Sequence, residues 1–305
     1  MPTPPIDPEF RGVARFLPRN VAHPRLLRFL GALESATTRL RSNPLVSVEP
    51  VGSTTVRVHR PQNGDGQRSP AILWLHGGGF IGGSPSQDDA LCRRLADELG
   101  VVVAAPRYPL SPGHRFPAAL EVAHEALVWL ASRDDVDADR IAIAGASAGG
   151  GLAAQLALLA RERAEVRPVM QVLVYPMLDD RTALRTDIDE SGFRLWSNRG
   201  NHLGWAAYLG RAPGDPDVSP IAAPARNKDL AGLPPTWIGV GDLDLFRDED
   251  VAYGEAVRSA GVPCETLVIE GVFHGFDAIL PKASATVRFH GSMIDALRHA
   301  FGSNG

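Results

Sequence analysis

Ser147 lies in Gly145-Ala146-Ser147-Ala148-Gly149, between the apolar run Ile141-Ala142-Ile143-Ala144 and an alanine- and leucine-rich stretch from Leu152 to Ala160. A serine at a sharp turn from a buried strand into a helix has strained backbone geometry and an exposed hydroxyl. It faces the helix N-terminus, where unpaired N–H groups and the helix dipole favour developing negative charge. Small residues at 145, 149 and 150 fit such a turn, because side chains there would meet the turn's own backbone. A bare G-x-S-x-G also occurs in ordinary glycine-rich turns; the strand before and the helix after point to a nucleophile for acyl transfer.

Acyl transfer needs N–H donors aimed at the oxyanion of a tetrahedral intermediate. Leu73-Trp74-Leu75-His76-Gly77-Gly78-Gly79-Phe80 is an apolar strand running into three glycines, upstream of the serine. Without Cβ atoms the chain can approach an oxyanion closely, so Gly77, Gly78 and Gly79, with the N–H of Ala148, are expected to form the oxyanion hole. Spacing does not select two of the three glycines. His76 is expected to hydrogen-bond at the base of the loop and not to act as a base.

A serine hydroxyl is a poor nucleophile near neutral pH and needs a base oriented by an acid. The order serine, acid, histidine leaves His202, His274, His290 and His299. His202 precedes the last two strand segments, and His290 and His299 fall in a helical pattern over 284–300, where they read as solvated. His274 alone follows a strand, 265–270, in a loop between Gly271 and Gly275, and catalytic residues collect on such loops. The acid belongs after the strand 236–240, where Asp242, Asp244, Asp248 and Glu249 occur, with Asp250 just beyond. The last three open a helical segment and read as caps or dipole partners. Spacing does not separate Asp242 from Asp244.

The chain resembles the hormone-sensitive-lipase group of α/β-hydrolases, the bacterial family IV esterases. The resemblance rests on His76-Gly77-Gly78-Gly79-Phe80, Arg107-Tyr108-Pro109-Leu110-Ser111-Pro112 with Phe116-Pro117-Ala118-Ala119, the serine turn with Gly150, Ser219-Pro220, Leu233-Pro234-Pro235 and His274-Gly275-Phe276, in that order. The family's acid motif corresponds to Asp244 through Glu249, which selects Asp244 over Asp242. Two positions depart from the family: Ala146, commonly acidic or threonine, and Leu245, commonly proline. The resemblance implies a serine carboxylesterase with the triad Ser147, Asp244 and His274, acting on short- to medium-chain esters through an acyl-enzyme. It implies no metal or organic cofactor, a small-molecule ester as partner, and a homodimer through the sheet edge near the last strand. The same triad would serve an acyltransferase, amidase or deacetylase. A ligand-binding receptor on this scaffold is disfavoured by the presence of all three residues.

These residues must be held by a sheet. Strand segments at 54–59, 71–75, 101–105, 141–145, 169–175, 236–240 and 265–270 mostly alternate with helical segments at 87–99, 118–132, 148–163, 248–260 and 284–300. Near-continuous apolar strands between helices predict an α/β fold with a mostly parallel sheet covered on both faces, and the resemblance makes it one α/β-hydrolase domain over 1–305. Two segments break the alternation, residues 1–45 and about 180–215. The resemblance makes them a helical cap, and Phe193, Trp196 and Trp205 are expected to line an acyl pocket beneath it.

Composition agrees with an enzyme of this size. With 305 residues and 44% hydrophobic content, the chain can bury a sizeable core. A net charge of −4 carries no basic excess, which argues against nucleic-acid or anionic-membrane binding. Cys92 and Cys264 fit neither a disulfide framework nor a metal site and read as separate thiols. No signal peptide or membrane-spanning segment is evident, so a cytoplasmic location is expected.

Overall fold

Strands covered on both faces can be apolar at every position, and β3 (Ser69–Leu75), β4 (Val102–Pro106), β5 (Val136–Ala146), β6 (Met170–Val174) and β7 (Thr236–Leu243) largely are. In the computed structural model, which describes residues 5–21, 46–62 and 67–302, they form an eight-stranded sheet. With β1 (Val46–Val51), β2 (Thr54–His59) and β8 (Cys264–Phe273), the order is β1-β2-β4-β3-β5-β6-β7-β8. The β1–β2 and β2–β4 pairings are antiparallel and the other pairings parallel, so β2 alone runs against the rest. Strand β8 forms the opposite edge.

Strand side chains alternate between two core layers. Leu73, Leu75 and Ile143 pack with Leu127 of α3 (Ala118–Ala131) and Leu156 of α4 (Ala148–Arg163). Ile72, Trp74 and Val172 pack with Leu95 of α2 (Asp89–Leu99) and Phe289 and Met293 of α8 (Ser284–Ala300). The strand order reverses at β3, which pairs with β4 on one side and β5 on the other. Ligands of open α/β sheets bind at such a switch point, outside the carboxyl ends of the strands. The two segments singled out for chemistry leave those ends: the triple-glycine loop follows β3, and Ser147 follows β5.

Strand β1 is absent from the sequence expectation. Pro50 interrupts its pattern, and proline is tolerated there because β1 is an edge strand with one side free of ladder bonds. Residues 5–21 pack against the body of the fold. Helix α1 (Pro8–Ala14) is capped by Asp7 and inserts Phe10 against Phe273 and Phe276, at ring distances of 5.8 and 5.9 Å. Beyond it, Leu195 N–H donates to Pro18 O and Val21 N–H to Leu195 O. Of the first expected cap segment, residues 1–4 and 22–45 lie outside the described residues. The second segment expected as cap contains α5 (Asn198–Leu209).

Helix α6 (Arg247–Ser259) opens on Asp248, Glu249 and Asp250, read above as cap or dipole residues. Asp250 and Glu249 are instead buried, and Glu249 Oε1 accepts the N–H groups of Leu178 and Asp179 at 2.7 and 3.1 Å. Burial pushes the Glu249 carboxyl up to about 8, against those hydrogen bonds, which favour ionisation. The unfolded chain ionises this group at lower pH, so the folded state binds more protons between about 4.5 and 8, and stability falls as pH rises through that window. Glu249→Gln keeps the accepting oxygen and removes the ionisation. The expected result is a shallower loss of urea stability from pH 5 to 9, with a relative gain on the order of 2 kcal/mol at the alkaline end. An unchanged pH slope would show that Glu249 does not carry it.

Candidate active site

The turn after β5 has the strained geometry expected of a nucleophile elbow. Ser147 has φ of +57° and ψ of −122° at the N-terminus of α4, a conformation that persists only where the surroundings enforce it. They do so closely: Ser147 N–H donates to Val174 O at 2.8 Å, and Ser147 O accepts from Gly151 and Met177. A side chain at Gly145 would collide with Gly149 O, and one at Gly149 with Leu75 O.

His274 reaches this serine from the end of β8, and Asp244 reaches His274 from the end of β7. His274 Nε2 is 3.0 Å from Ser147 Oγ, and His274 Nδ1 is 2.8 Å from Asp244 Oδ2. All three side chains are buried. The other Asp244 oxygen accepts the Phe246 N–H at 3.0 Å, which fixes the carboxylate plane. Asp242, left open by spacing, accepts the Gly271 N–H at 2.6 Å. It thereby supports the start of the histidine loop without touching the imidazole. Tyr175, Phe246 and Trp196 surround the imidazole, at ring distances of 4.6, 5.4 and 6.3 Å.

The triple-glycine loop lies against the elbow, where a Cβ at Gly77 would sit 3.3 Å from the Ser147 Cβ. Gly78 and Gly79 have φ of +127° and +61°, and among the described residues neither N–H donates to a backbone carbonyl. A side chain at Gly79 would strike the indole of Trp196, and one at Gly78 the carbonyl of Gly82. His76 is buried at the base of the loop, with Nδ1 2.8 Å from Gly77 O and its ring stacked 4.1 Å from Tyr108. Burial pushes this imidazole down to about 4, so at neutral pH it is uncharged and its Nδ1–H donates to Gly77.

The expected pocket aromatics occupy different places. Trp196 lies between Gly79 and His274. Trp205 packs on Phe80 and Tyr208, and Phe193 is buried in the same core layer. Sequence reasoning did not single out Tyr175 or Phe246 beside the imidazole; each follows closely on a strand, the only signal available. Nor did it foresee that His290, read as solvated, is buried. Among the described residues no group of histidine, cysteine or acidic side chains could hold a metal ion, and no helix is long and apolar enough to cross a membrane.

Residues 72–278 match the α/β-hydrolase fold family. The chain belongs to that family. Within it, this α/β-hydrolase falls in the hormone-sensitive-lipase-like carboxylesterase group, to which its motif order pointed. It is 33% identical over 263 residues to the carboxylic ester hydrolase LipN of Mycobacterium tuberculosis, covering 82% of this chain and 68% of that one. It is 35% identical over 229 residues to ethyl acetate hydrolase of Pseudomonas putida, covering 72% and 70%. A solved structure of a bacterial heroin esterase superposes with a TM-score of 0.88 at 34% identity, covering 99% of each chain.

Proposed function

We propose that this α/β-hydrolase is a serine carboxylesterase in which Ser147 is the nucleophile, His274 the base and Asp244 its orienting acid. The observation that carries the reading is the continuous pair of contacts from Ser147 Oγ to His274 and from His274 to Asp244. Ser147 Oγ attacks the ester carbonyl carbon while His274 Nε2 takes its proton. Asp244 holds the Nδ1–H tautomer and stabilises the imidazolium that forms. The N–H groups of Gly78, Gly79 and Ala148 stabilise the oxyanion, their positions freed by positive φ at the two glycines and by the orphan donors of the first turn of α4. The imidazolium returns its proton to the leaving alkoxide, the alcohol departs, and His274 then activates water to hydrolyse the acyl-enzyme. No step calls for a metal or organic cofactor.

The position of Trp196 supports a preference for small acyl groups. Its indole stands across the space between the glycine loop and the base, so a long chain cannot extend past it without displacing a buried ring. Trp205 and Phe193 are buried in the core layer that also holds Trp196. Hydrolysis of p-nitrophenyl acetate, butyrate, octanoate and palmitate tests the reading. Turnover of the two shorter esters is expected, with little of palmitate. Trp196→Ala is expected to raise octanoate turnover relative to acetate by at least roughly tenfold, the lower end of the range over which a hydrophobic pocket discriminates a single methylene. An unchanged chain-length profile in a folded Trp196→Ala protein removes Trp196 from the pocket.

A further inference from the structure

Behind the catalytic imidazole lies a second buried histidine–aspartate pair that the triad chemistry does not use. Tyr175 follows the last residue of β6 with φ of +35°, a conformation a bulky residue keeps only where neighbours fix it. Its N–H donates to Gly239 O at 2.7 Å, and its hydroxyl donates to Asp277 Oδ1 at 2.8 Å. Its ring lies parallel to Phe289 on one side and 4.6 Å from the His274 ring on the other. Asp277 Oδ2 is 3.0 Å from His290 Nε2, and His290 Nδ1 is 3.4 Å from a guanidinium nitrogen of Arg94.

Tyr175, Asp277 and His290 are each buried. Burial pushes the Asp277 carboxyl up, but the hydrogen bond and charge of His290, together with the Tyr175 hydroxyl, leave it below the usual carboxylate range. A buried histidine–carboxylate pair is a poor source of stability compared with apolar side chains of the same size, so its location calls for another explanation. Asp277 is three residues beyond His274, at the start of the short helix α7 (Phe276–Ile279). One carboxylate therefore ties the loop that carries the base both to the ring beside that base and, through His290, to helix α8.

We infer that Tyr175, Asp277 and His290 are positioning residues for His274, Tyr175 bearing on the imidazole while Asp277 anchors the loop and the tyrosine hydroxyl together. The inference rests on the esterase reading above. In that mechanism His274 moves a proton in both acylation and deacylation, so a loosened base slows both steps alike and leaves ester binding as it was. Misplacing a reacting group by a fraction of an ångström to one ångström costs roughly ten- to a hundredfold in rate.

The test measures the p-nitrophenol burst and the steady state with p-nitrophenyl acetate, beside thermal unfolding, for Tyr175→Phe, Asp277→Leu, their double variant and Asp277→Asn. Tyr175→Phe, which removes one hydroxyl, is expected to slow acylation and deacylation by roughly tenfold each, with KM within about twofold. Asp277→Leu should lose at least as much, and the double variant little more than Asp277→Leu, because both changes break one link. Asp277→Asn keeps an acceptor for the tyrosine hydroxyl and should recover most of the rate. If Tyr175→Phe folds and melts lower but acylates and deacylates at the native rates, or shifts KM alone, the positioning role is wrong. If Asp277→Leu does not fold, Tyr175→Phe decides. A Ser147→Ala control separates the two readings: activity surviving in it would overturn the triad, and with it the role of His274 that the positioning serves, whereas loss of activity there with native rates in Tyr175→Phe would overturn the positioning alone.

Discussion

Ser147→Ala is expected to lower kcat for short-ester hydrolysis by about 10⁶-fold, the scale seen when a serine hydrolase loses its nucleophile. That corresponds to roughly 8 kcal/mol of transition-state stabilisation. The loss should be this large because the remaining groups cannot replace the covalent step. His274 and Asp244 stay in place but have no hydroxyl to activate, and the glycine-loop donors can stabilise only the slow attack of water. Alanine keeps the Cβ and meets the same backbone demand at φ of +57°. The Oγ contact that disappears is the one to His274, so the fold should persist. Circular dichroism and the melting temperature check the fold, and steady-state assays with substrate-only blanks check the rate. A folded variant retaining more than a small fraction of native turnover would contradict the assignment.

Asp244→Asn is expected to lower kcat by about 10⁴-fold, whereas Asp242→Asn should stay within several-fold of native. The two residues are two positions apart, yet β7 and its turn place them differently. Asp244 accepts from His274 Nδ1 at 2.8 Å, and Asp242 accepts a backbone N–H from Gly271 at 2.6 Å. An asparagine at 244 can present its amide to the imidazole and hold the wrong tautomer, removing both orientation and charge stabilisation. An asparagine at 242 keeps an accepting oxygen for Gly271, so the histidine loop stays supported. Paired kcat and KM measurements on the two variants read this directly. Equal losses would mean that the acid is not distinguished by its contact with His274.

That pair of aspartates marks how far the sequence could be read. The sheet was legible because parallel strands buried on both faces are written as apolar runs, and Leu73 to Leu75 or Ile141 to Ala144 could hardly be anything else. The serine turn and the glycine loop were legible because close backbone approach admits only small residues, which leaves a mark in the chain. His274 followed from chain order and its place after a strand. Spacing and local composition do not mark Asp244 against Asp242, and only the resemblance to the family's acid motif selected it, since the choice depends on which carboxylate the turn aims at the imidazole. Tyr175 and Phe246 escaped for the same reason: their importance is a distance to His274, and an aromatic residue after a strand reads as core. His290 and Glu249 misled because helical periodicity places polar residues outside by default, and only the partners supplied by Asp277 and by the backbone of Leu178 and Asp179 explain their burial. Strand β1 was hidden by Pro50, whose tolerance depends on an edge position that pairing alone reveals.

The reading as a whole turns on a covalent intermediate at Ser147. The most direct measurement quenches the purified protein in acid during steady-state turnover of p-nitrophenyl acetate and maps the acetyl group by peptide mass spectrometry. One acetyl group on the peptide containing Ser147 is expected, absent from Ser147→Ala and disappearing at the rate of turnover once substrate is exhausted. Continued turnover with no acetyl group on Ser147, or with the label on another residue that is discharged at the catalytic rate, would contradict the mechanism.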